Sequence, residues 1–425
     1  MKSRHILVFL LLFMPHGEIS SQAQTSAFVS QMPQQTTVES NGAEGACTVP
    51  GRDWSHIAAP EDAGWSSERL SAARKYADSL HDSSLMILQC GCVVDEWGDP
   101  SKKLTTFSVR KSLISALYGI YSADGKIDIN ESLEQAGIDD DPSPLTRAER
   151  QARIVDLLRA RSGVYHAADF ETDFQRKTRP ARGSHAPGTF WFYNNWDFNA
   201  LGTIFEKKTG LKIGDAFYER IAKPIGMQDF KPNDVYYVGN GEVSRYPAYM
   251  FEMAARDMAR FGLLYLNHGR WKGQQIIPQD WVEKSTHATE MVHVGNMNAG
   301  GYEYLWWVEY GGVHLGEATL PGMYSAQGAG GHYILVIPSL NVVIVNQFNN
   351  EPEVHDSKSV LAAAQDHHAI FDDQFAHLVK LILDARVIVP SGVSLRLDGF
   401  ACNYRVLHSK SRGAWTVKSD TPKPL

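Results

Sequence analysis

Phe107-Ser108-Val109-Arg110-Lys111 stands where an extended segment gives way to an apolar run that continues to about Ser122. Val109, Leu113, Ala116, Leu117 and Ile120 recur at helical spacing, and Asp124-Gly125-Lys126 closes the run with a glycine suited to a helix C-terminus. The pattern predicts an amphipathic helix opened by Ser108. Positions i and i+3 share a helix face, so the Lys111 ammonium can hang over the Ser108 hydroxyl. A serine hydroxyl is a poor nucleophile at neutral pH, and a basic group within hydrogen-bond reach changes that. This is the only S-x-x-K in the chain. By itself it reads more readily as a helix-capping serine followed by a solvated lysine, so the rest of the sequence has to shift that balance.

Upstream, Glu61 to Leu80 carries Leu70, Ala73, Tyr76, Ala77 and Leu80 at helical spacing. Ser84–Gln89 and Cys92–Gly98 then read as two strands around a turn at Gly91. Downstream, to about residue 300, the pattern is mostly helical: Ile154–Arg161, Asp197–Lys208, Ile213–Ile221 and Met253–Asn267. Strand signals return in Gly301–Tyr310, Gly331–Ile337 and Val342–Gln347, and Asp372–Ala385 is a last amphipathic helix. Strands at both ends with helices between predict an α+β chain. An antiparallel sheet lobe with flanking helices is built from 51–107 and 300–385, and an all-helical lobe, 108–299, is inserted in it. Sites favour the cleft between such lobes.

The chain has 425 residues, 43% of them hydrophobic and 21% charged, with a formal net charge of −7. That balance argues against a nucleic-acid partner needing a basic face. Lys2, Arg4 and His5, followed by apolar Ile6–Met14 and the small-x-small Ser21-Gln22-Ala23, predict a signal peptide over 1–23 and a mature chain beginning at Gln24. The protein is therefore expected in the periplasm or outside the cell. The apolar run is too short to span a bilayer, so no stable membrane insertion is expected. Residues 24–50 read as a flexible leader and 386–425 as a tail. Export permits disulfides among Cys47, Cys90, Cys92 and Cys402 in any of three pairings. No histidines stand at ligand spacing, and neither a metal nor a cofactor is expected.

Tyr193-Asn194-Asn195 follows a Pro187-Gly188-Thr189-Phe190 loop and precedes a helix. If Lys111 and a second cation crowd Tyr193, its anionic form is favoured and it can take the serine proton. Asn195 can hold Lys111 or a substrate carbonyl. Tyr265-Leu266-Asn267 repeats the spacing inside a helix and reads as core. Lys208-Thr209-Gly210 reads as helix capping. Late in the chain, Ser325-Ala326-Gln327-Gly328-Ala329-Gly330-Gly331 lets backbone approach a ligand closely. An N–H there, with that of Ser108, would form an oxyanion hole. Trp191 and Trp196 read as core or as an apolar substrate wall. Arg110, on another face of the helix from Ser108, is assigned no chemistry.

In this order Ser108-x-x-Lys111, Tyr193-x-Asn195 and the late glycine strand resemble the serine β-lactamase superfamily, in its class C-like branch with the 6-aminohexanoate-dimer hydrolases and family VIII-type carboxylesterases. Ser162-Gly163-Val164-Tyr165, Asn199-Ala200-Leu201-Gly202 and Asp257-Met258-Ala259-Arg260-Phe261-Gly262 extend the likeness. The resemblance implies a β-lactamase/transpeptidase-like fold. In it Ser108 is the acylated nucleophile, Lys111 and Tyr193 share the proton traffic, and Asn195, Gln327, Gly328 and Ala329 bind substrate or its oxyanion. Ala326-Gln327-Gly328 stands where a Lys- or His-led triplet belongs. A neutral amide cannot greet a substrate carboxylate with charge. The expected substrate is thus a small ester or amide lacking that carboxylate. A β-lactamase or D-amino-acid peptidase proper, or an idle binding protein of the same fold, are the alternatives.

Overall fold

The computed structural model describes residues 49–366 and 370–387, and the backbone of Arg405–Leu407 and Thr416–Lys418. The expected signal peptide, nearly all of the leader and most of the tail lie outside the described residues. In the tail, Arg405–Leu407 pairs antiparallel with Thr416–Lys418.

In chain order the main elements are α1 (Ser67–Ser79), β1 (Asp82–Gln89), β2 (Cys92–Gly98), β3 (Lys103–Thr105), α2 (Val109–Ala123) and α3 (Asn195–Thr209). There follow β4 (Val235–Val238), β5 (Ala248–Ala254), α4 (Ala255–Leu266), β6 (Gly301–Glu303), β7 (Trp306–Val308) and β8 (Tyr324–Gly328). The last are β9 (His332–Ile337), β10 (Val342–Phe348), α5 (Ser357–Ala364) and α6 (Asp372–Asp384). A seven-stranded sheet runs β6-β7-β8-β9-β10-β1-β2, so the two ends of the chain meet where β1 pairs antiparallel with β10.

Side chains on successive strand residues point to opposite faces, and the sheet uses both. Leu85, Ile87, Leu335, Ile337, Val342 and Ile344 pack with α1 and α6 through Leu70, Ala73, Leu378 and Ile382. Met86, Leu88, Ile334, Val336, Val343 and Val345 face α4 and α2. In α4, a Cβ at Gly262 would lie 2.7 Å from Val343 Cγ1, so only glycine lets the helix come this close to the sheet. The β1–β2 turn places Cys90 and Gly91 at φ 52° and 80°, the double positive φ of a tight hairpin. Cys90 is disulfide-bonded.

Three expectations need correction. The first helix is interrupted: a 3-10 turn, Pro60–Ala63, ends at Gly64 with φ 77°, and α1 starts only after Ser66, whose hydroxyl caps it. The middle of the chain is not all helix. Val235–Val238 and Ala248–Ala254 pair with each other and with β3 in a three-stranded sheet, β3-β5-β4. Met253 and Ala254 therefore end a strand rather than begin a helix. Aromatic and β-branched residues make up β4, and Tyr249 and Phe251 stand on β5, which outweighs the helical surroundings. Finally, α2 is not two-faced. Every residue from Val109 to Tyr121 is buried, as befits a helix that both lobes pack around. Two of its hydroxyls find partners inside: Ser112 Oγ donates to Leu305 O at 2.8 Å, and Ser115 Oγ accepts from Trp281 Nε1 at 3.3 Å.

Candidate active site

Strand β3 delivers the chain to Ser108. Thr106 continues its pairing, with both its N–H and its Oγ1 donating to Phe251 O, at 2.8 and 3.0 Å. Phe107 then turns to φ 47°, a left-handed conformation that a bulky residue holds only when its surroundings impose it. Those surroundings are the Phe170 ring, stacked at 6.2 Å, and His332 at 5.5 Å. The turn leaves Ser108 at the mouth of α2. Its hydroxyl makes no capping hydrogen bond, which excludes the plain helix-cap reading.

Lys111 Nζ donates instead to Ser108 Oγ at 2.6 Å. The lysine is 1% exposed and has no carboxylate partner among the described residues. Burial, with the Arg110 guanidinium beside it, holds the amine well below the usual lysine range. The Tyr193 and Phe198 rings lie 4.9 and 4.8 Å from Nζ. Two ring faces return about 2 kcal/mol each at best, against several for burying an unpaired ammonium. Burial therefore favours the free amine over the ammonium, and a free amine can accept a proton.

Tyr193 is partly exposed and stands beside Ser108. Burial pushes its phenol up to about 12, while a hydrogen bond with Ser108 and the charge of Arg110 pull it down. The second cation is thus Arg110, to which sequence reasoning gave no chemistry. Arg110 does face away from Ser108, but it is wholly buried, and charge acts through a low-dielectric interior without contact.

Asn195 begins α3 and is buried. Its amide nitrogen donates to Phe170 O and, at 3.3 Å, to Gln175 Oε1, tying down the loop that carries Phe170. Its Oδ1 is buried without a hydrogen-bond partner. Lys208-Thr209-Gly210 closes α3, with Gly210 at φ 71°, far along the helix from the site. Tyr265 is core.

The other wall is β8. A Cβ on Gly328 would fall 2.2 Å from Thr106 O, so only glycine permits this strand to approach the segment feeding Ser108. Ala329 packs on the cluster containing Phe107. The Ser108 N–H, at a helix start, has no intrahelical acceptor. Gln327 Nε2 donates to Ser325 Oγ at 2.9 Å, and His314 Nε2 meets the same hydroxyl at 3.0 Å. Burial lowers the His314 pKa to about 4, so His314 puts no positive charge behind Gln327 at neutral pH.

Trp191 and Trp196, weighed as a substrate wall, are 7% and 0% exposed and belong to the core. The aromatic surface bordering the site is Trp307, stacked on Tyr193 at 5.5 Å with 24° between the rings. Strand alternation carried the signal: Trp306 faces inward, so its neighbour Trp307 faces the other side.

Against known families, the β-lactamase model matches residues 84–369, which takes in both lobes and all the groups above. This chain belongs to the β-lactamase family. Among solved structures, the β-lactamase-family chain resembles a Bacillus anthracis protein provisionally named a 6-aminohexanoate-dimer hydrolase. The TM-score is 0.55 at 19% identity, covering 81% of this chain and 89% of that one. A family VIII carboxylesterase gives a TM-score of 0.52 at 14% identity, covering 76% and 99%. At these identities the likeness is one of fold. A curated relative from Salmonella paratyphi A, provisionally named a D-alanyl-D-alanine carboxypeptidase, is 22% identical over 180 residues. That alignment takes in 37% of this chain and spans only 39% of the relative.

Proposed function

We propose that this chain is an exported serine hydrolase that cleaves an ester or small amide through an acyl-enzyme on Ser108. The observation that carries the reading is the buried, unpaired Lys111 amine 2.6 Å from Ser108 Oγ. Lys111 takes the Ser108 proton as Oγ bonds to the substrate carbonyl carbon. The N–H groups of Ser108 and Ala329 receive the developing oxyanion. Tyr193, hydrogen-bonded to Ser108, relays a proton to the leaving oxygen or nitrogen as the scissile bond breaks. Water, deprotonated by the same groups, then releases the acid. Asn195 steadies the floor of the site through Phe170 and Gln175.

The substrate class rests on Gln327. Its amide is held by Ser325 and supplies no positive charge, which favours substrates without a carboxylate. Trp307 offers a partly exposed aromatic face beside Tyr193 for an apolar acyl or leaving group. Export rests on the basic and apolar start of the sequence. Edman sequencing of protein recovered from periplasm or medium should begin at Gln24, and intact cytoplasmic protein beginning at Met1 overturns that part.

The direct test is a fluorophosphonate probe followed by a substrate panel. Labelling should fall on Ser108 and vanish in Ser108→Ala. Short p-nitrophenyl esters should turn over faster than nitrocefin or D-alanyl amides. Folded protein that takes no label is an idle binder, and rapid nitrocefin turnover overturns the reading of Gln327. Tyr193→Phe should keep its melting temperature and lose on the order of 100-fold or more in ester turnover. Wild-type rates in that variant remove Tyr193 from the proton path.

A further inference from the structure

Arg110 is wholly buried, yet the described residues give it no carboxylate. Its Nη2 donates to Asn199 Oδ1 at 3.1 Å, and its guanidinium carbon stands 4.5 Å from the centre of the Tyr249 ring. Nε and Nη1 are buried without partners. Such a cation is expensive, and a structural role would ordinarily come with an acidic partner. Arg260, the other fully buried arginine among the described residues, is better satisfied though it too lacks a carboxylate: it donates to the carbonyls of Ile225, Gly51 and Arg52. Arg110 instead shares the first turn of α2 with Lys111, which is also buried and unpaired. Two adjacent cations without counter-charge do not both persist in a low-dielectric interior. A guanidinium does not give up its proton, so the lysine does.

We propose that Arg110 is a positioning residue of this site: its charge, with no carboxylate against it among the described residues, keeps the adjacent Lys111 as the free amine, so that the Ser108 proton has an acceptor. The proposal rests on the acyl-enzyme reading and explains how that site is kept ready. Elsewhere around the pair, the titratable neighbours on each packed element are Tyr193 before α3, Tyr249 on β5 and Tyr302 on β6. On α3 the Asp197 carboxyl is bound to Ser162 and Asn194 and held well above the usual carboxylate range by burial, so it lends little negative charge. Asp169 gives Asn199 only its backbone carbonyl and turns its carboxyl toward Gly239. Asp372, at the start of α6, bonds Tyr333 and acts on Tyr193 only at a distance, opposing Arg110.

The test is the acidic limb of the kcat/KM–pH profile for a p-nitrophenyl ester, which reports the loss of the free amine as Lys111 takes a proton. Removing the nearby cation makes the protonated lysine easier to form, so the limb moves up in pH. Arg110→Gln should move it by about one pH unit, with the loss at pH 7 recovered at alkaline pH. Arg110→Lys should hold the limb at the wild-type position. Asn199→Asp puts a carboxylate against Arg110 without emptying its site, and should move the limb the same way as Arg110→Gln. This keeps the test open if the glutamine variant fails to fold. Superimposable limbs in wild type and Asn199→Asp, with Ser108 still labelled, overturn the role of Arg110 and leave the acyl-enzyme reading standing. Absence of Ser108 labelling in the wild type overturns that reading instead.

Discussion

The first two turns of α3 touch two buried polar clusters of opposite kind. On one side, Trp196 Nε1 donates at 2.7 Å to Asp140, which also accepts from Ser244 Oγ at 2.8 Å and the Arg245 N–H at 3.1 Å and pairs with His166 at 3.2 Å. Burial pushes the Asp140 carboxyl up, but the donors outweigh it and hold it below the usual range. On the other side, Phe198 and Asn199 border Lys111 and Arg110, which lack counter-charge among the described residues. The helix is the same and both clusters are buried, yet one is saturated with partners and the other starved of them. Saturation keeps a charge in place and anchors the fold. Starvation disfavours a charge, which is what the base proposed for this site requires.

The comparison breaks most visibly at its extremes. Lys111→Met should cost ~100- to 10,000-fold in kcat/KM, the usual range for a lost general base. Its melting temperature should hold or rise, because an apolar chain of similar length replaces an unpaired buried amine. A large fall in melting temperature would show that Lys111 is an anchor after all. Asp140→Ala should do the reverse. It leaves buried donors without an acceptor and should cost about 3 to 5 kcal/mol by urea unfolding. The kcat/KM of the remaining folded molecules should change only slightly. The pH dependence follows from the sign of the shift: a carboxyl lowered in the folded state stabilises above its unfolded value near pH ~4, and loses that contribution as pH falls through its folded value. Unfolding midpoints of the wild type and Asp140→Ala should therefore converge in strong acid.

A smaller effect tests the wall opposite. Gly328→Ala drives a methyl into Thr106 O and should cost about 1 to 3 kcal/mol of stability as β8 is pushed off the segment feeding Ser108. Acylation of Ser108 should slow with it. Unchanged labelling by the fluorophosphonate probe would show that this close approach serves packing alone.

Much of this was legible in the sequence, for identifiable reasons. Ser108, Lys111 and the helix between them are local, so spacing alone brings the hydroxyl and the amine together. The two-ended sheet was legible because β1, β9 and β10 are strongly apolar and well punctuated. Strands β4 and β5 were not, because short aromatic runs among helices look alike at either period. Arg110 was missed for a different reason. Helical phase says that it faces away from Ser108, which is true, but phase says nothing about a charge acting through a buried interior. Nor could it show that Asn195 spends its amide on Phe170, or that Trp196 belongs to the Asp140 cluster, since those partners lie far off in sequence.

Gln327 stands between the two extremes and should give the smallest effect. Its amide is neither starved nor saturated: one hydrogen bond, to Ser325 Oγ at 2.9 Å, holds the side chain along β8. That hydroxyl is held in turn by a neutral His314. A neutral hydrogen bond is worth about 0.5 to 1.5 kcal/mol net, so Gln327→Ala should lower ester kcat/KM by ~2- to 10-fold and leave the pH profile in place. Gln327→Lys sharpens the point, because it adds only charge at the same position. Ester turnover should change little, while substrates ending in a carboxylate should gain relative to those without one. A loss beyond ~100-fold in Gln327→Ala exceeds what one neutral hydrogen bond supplies. That result would move Gln327 from the edge of the site to its centre, and the substrate preference would then have to be sought in a contact that the amide makes to the reacting group itself.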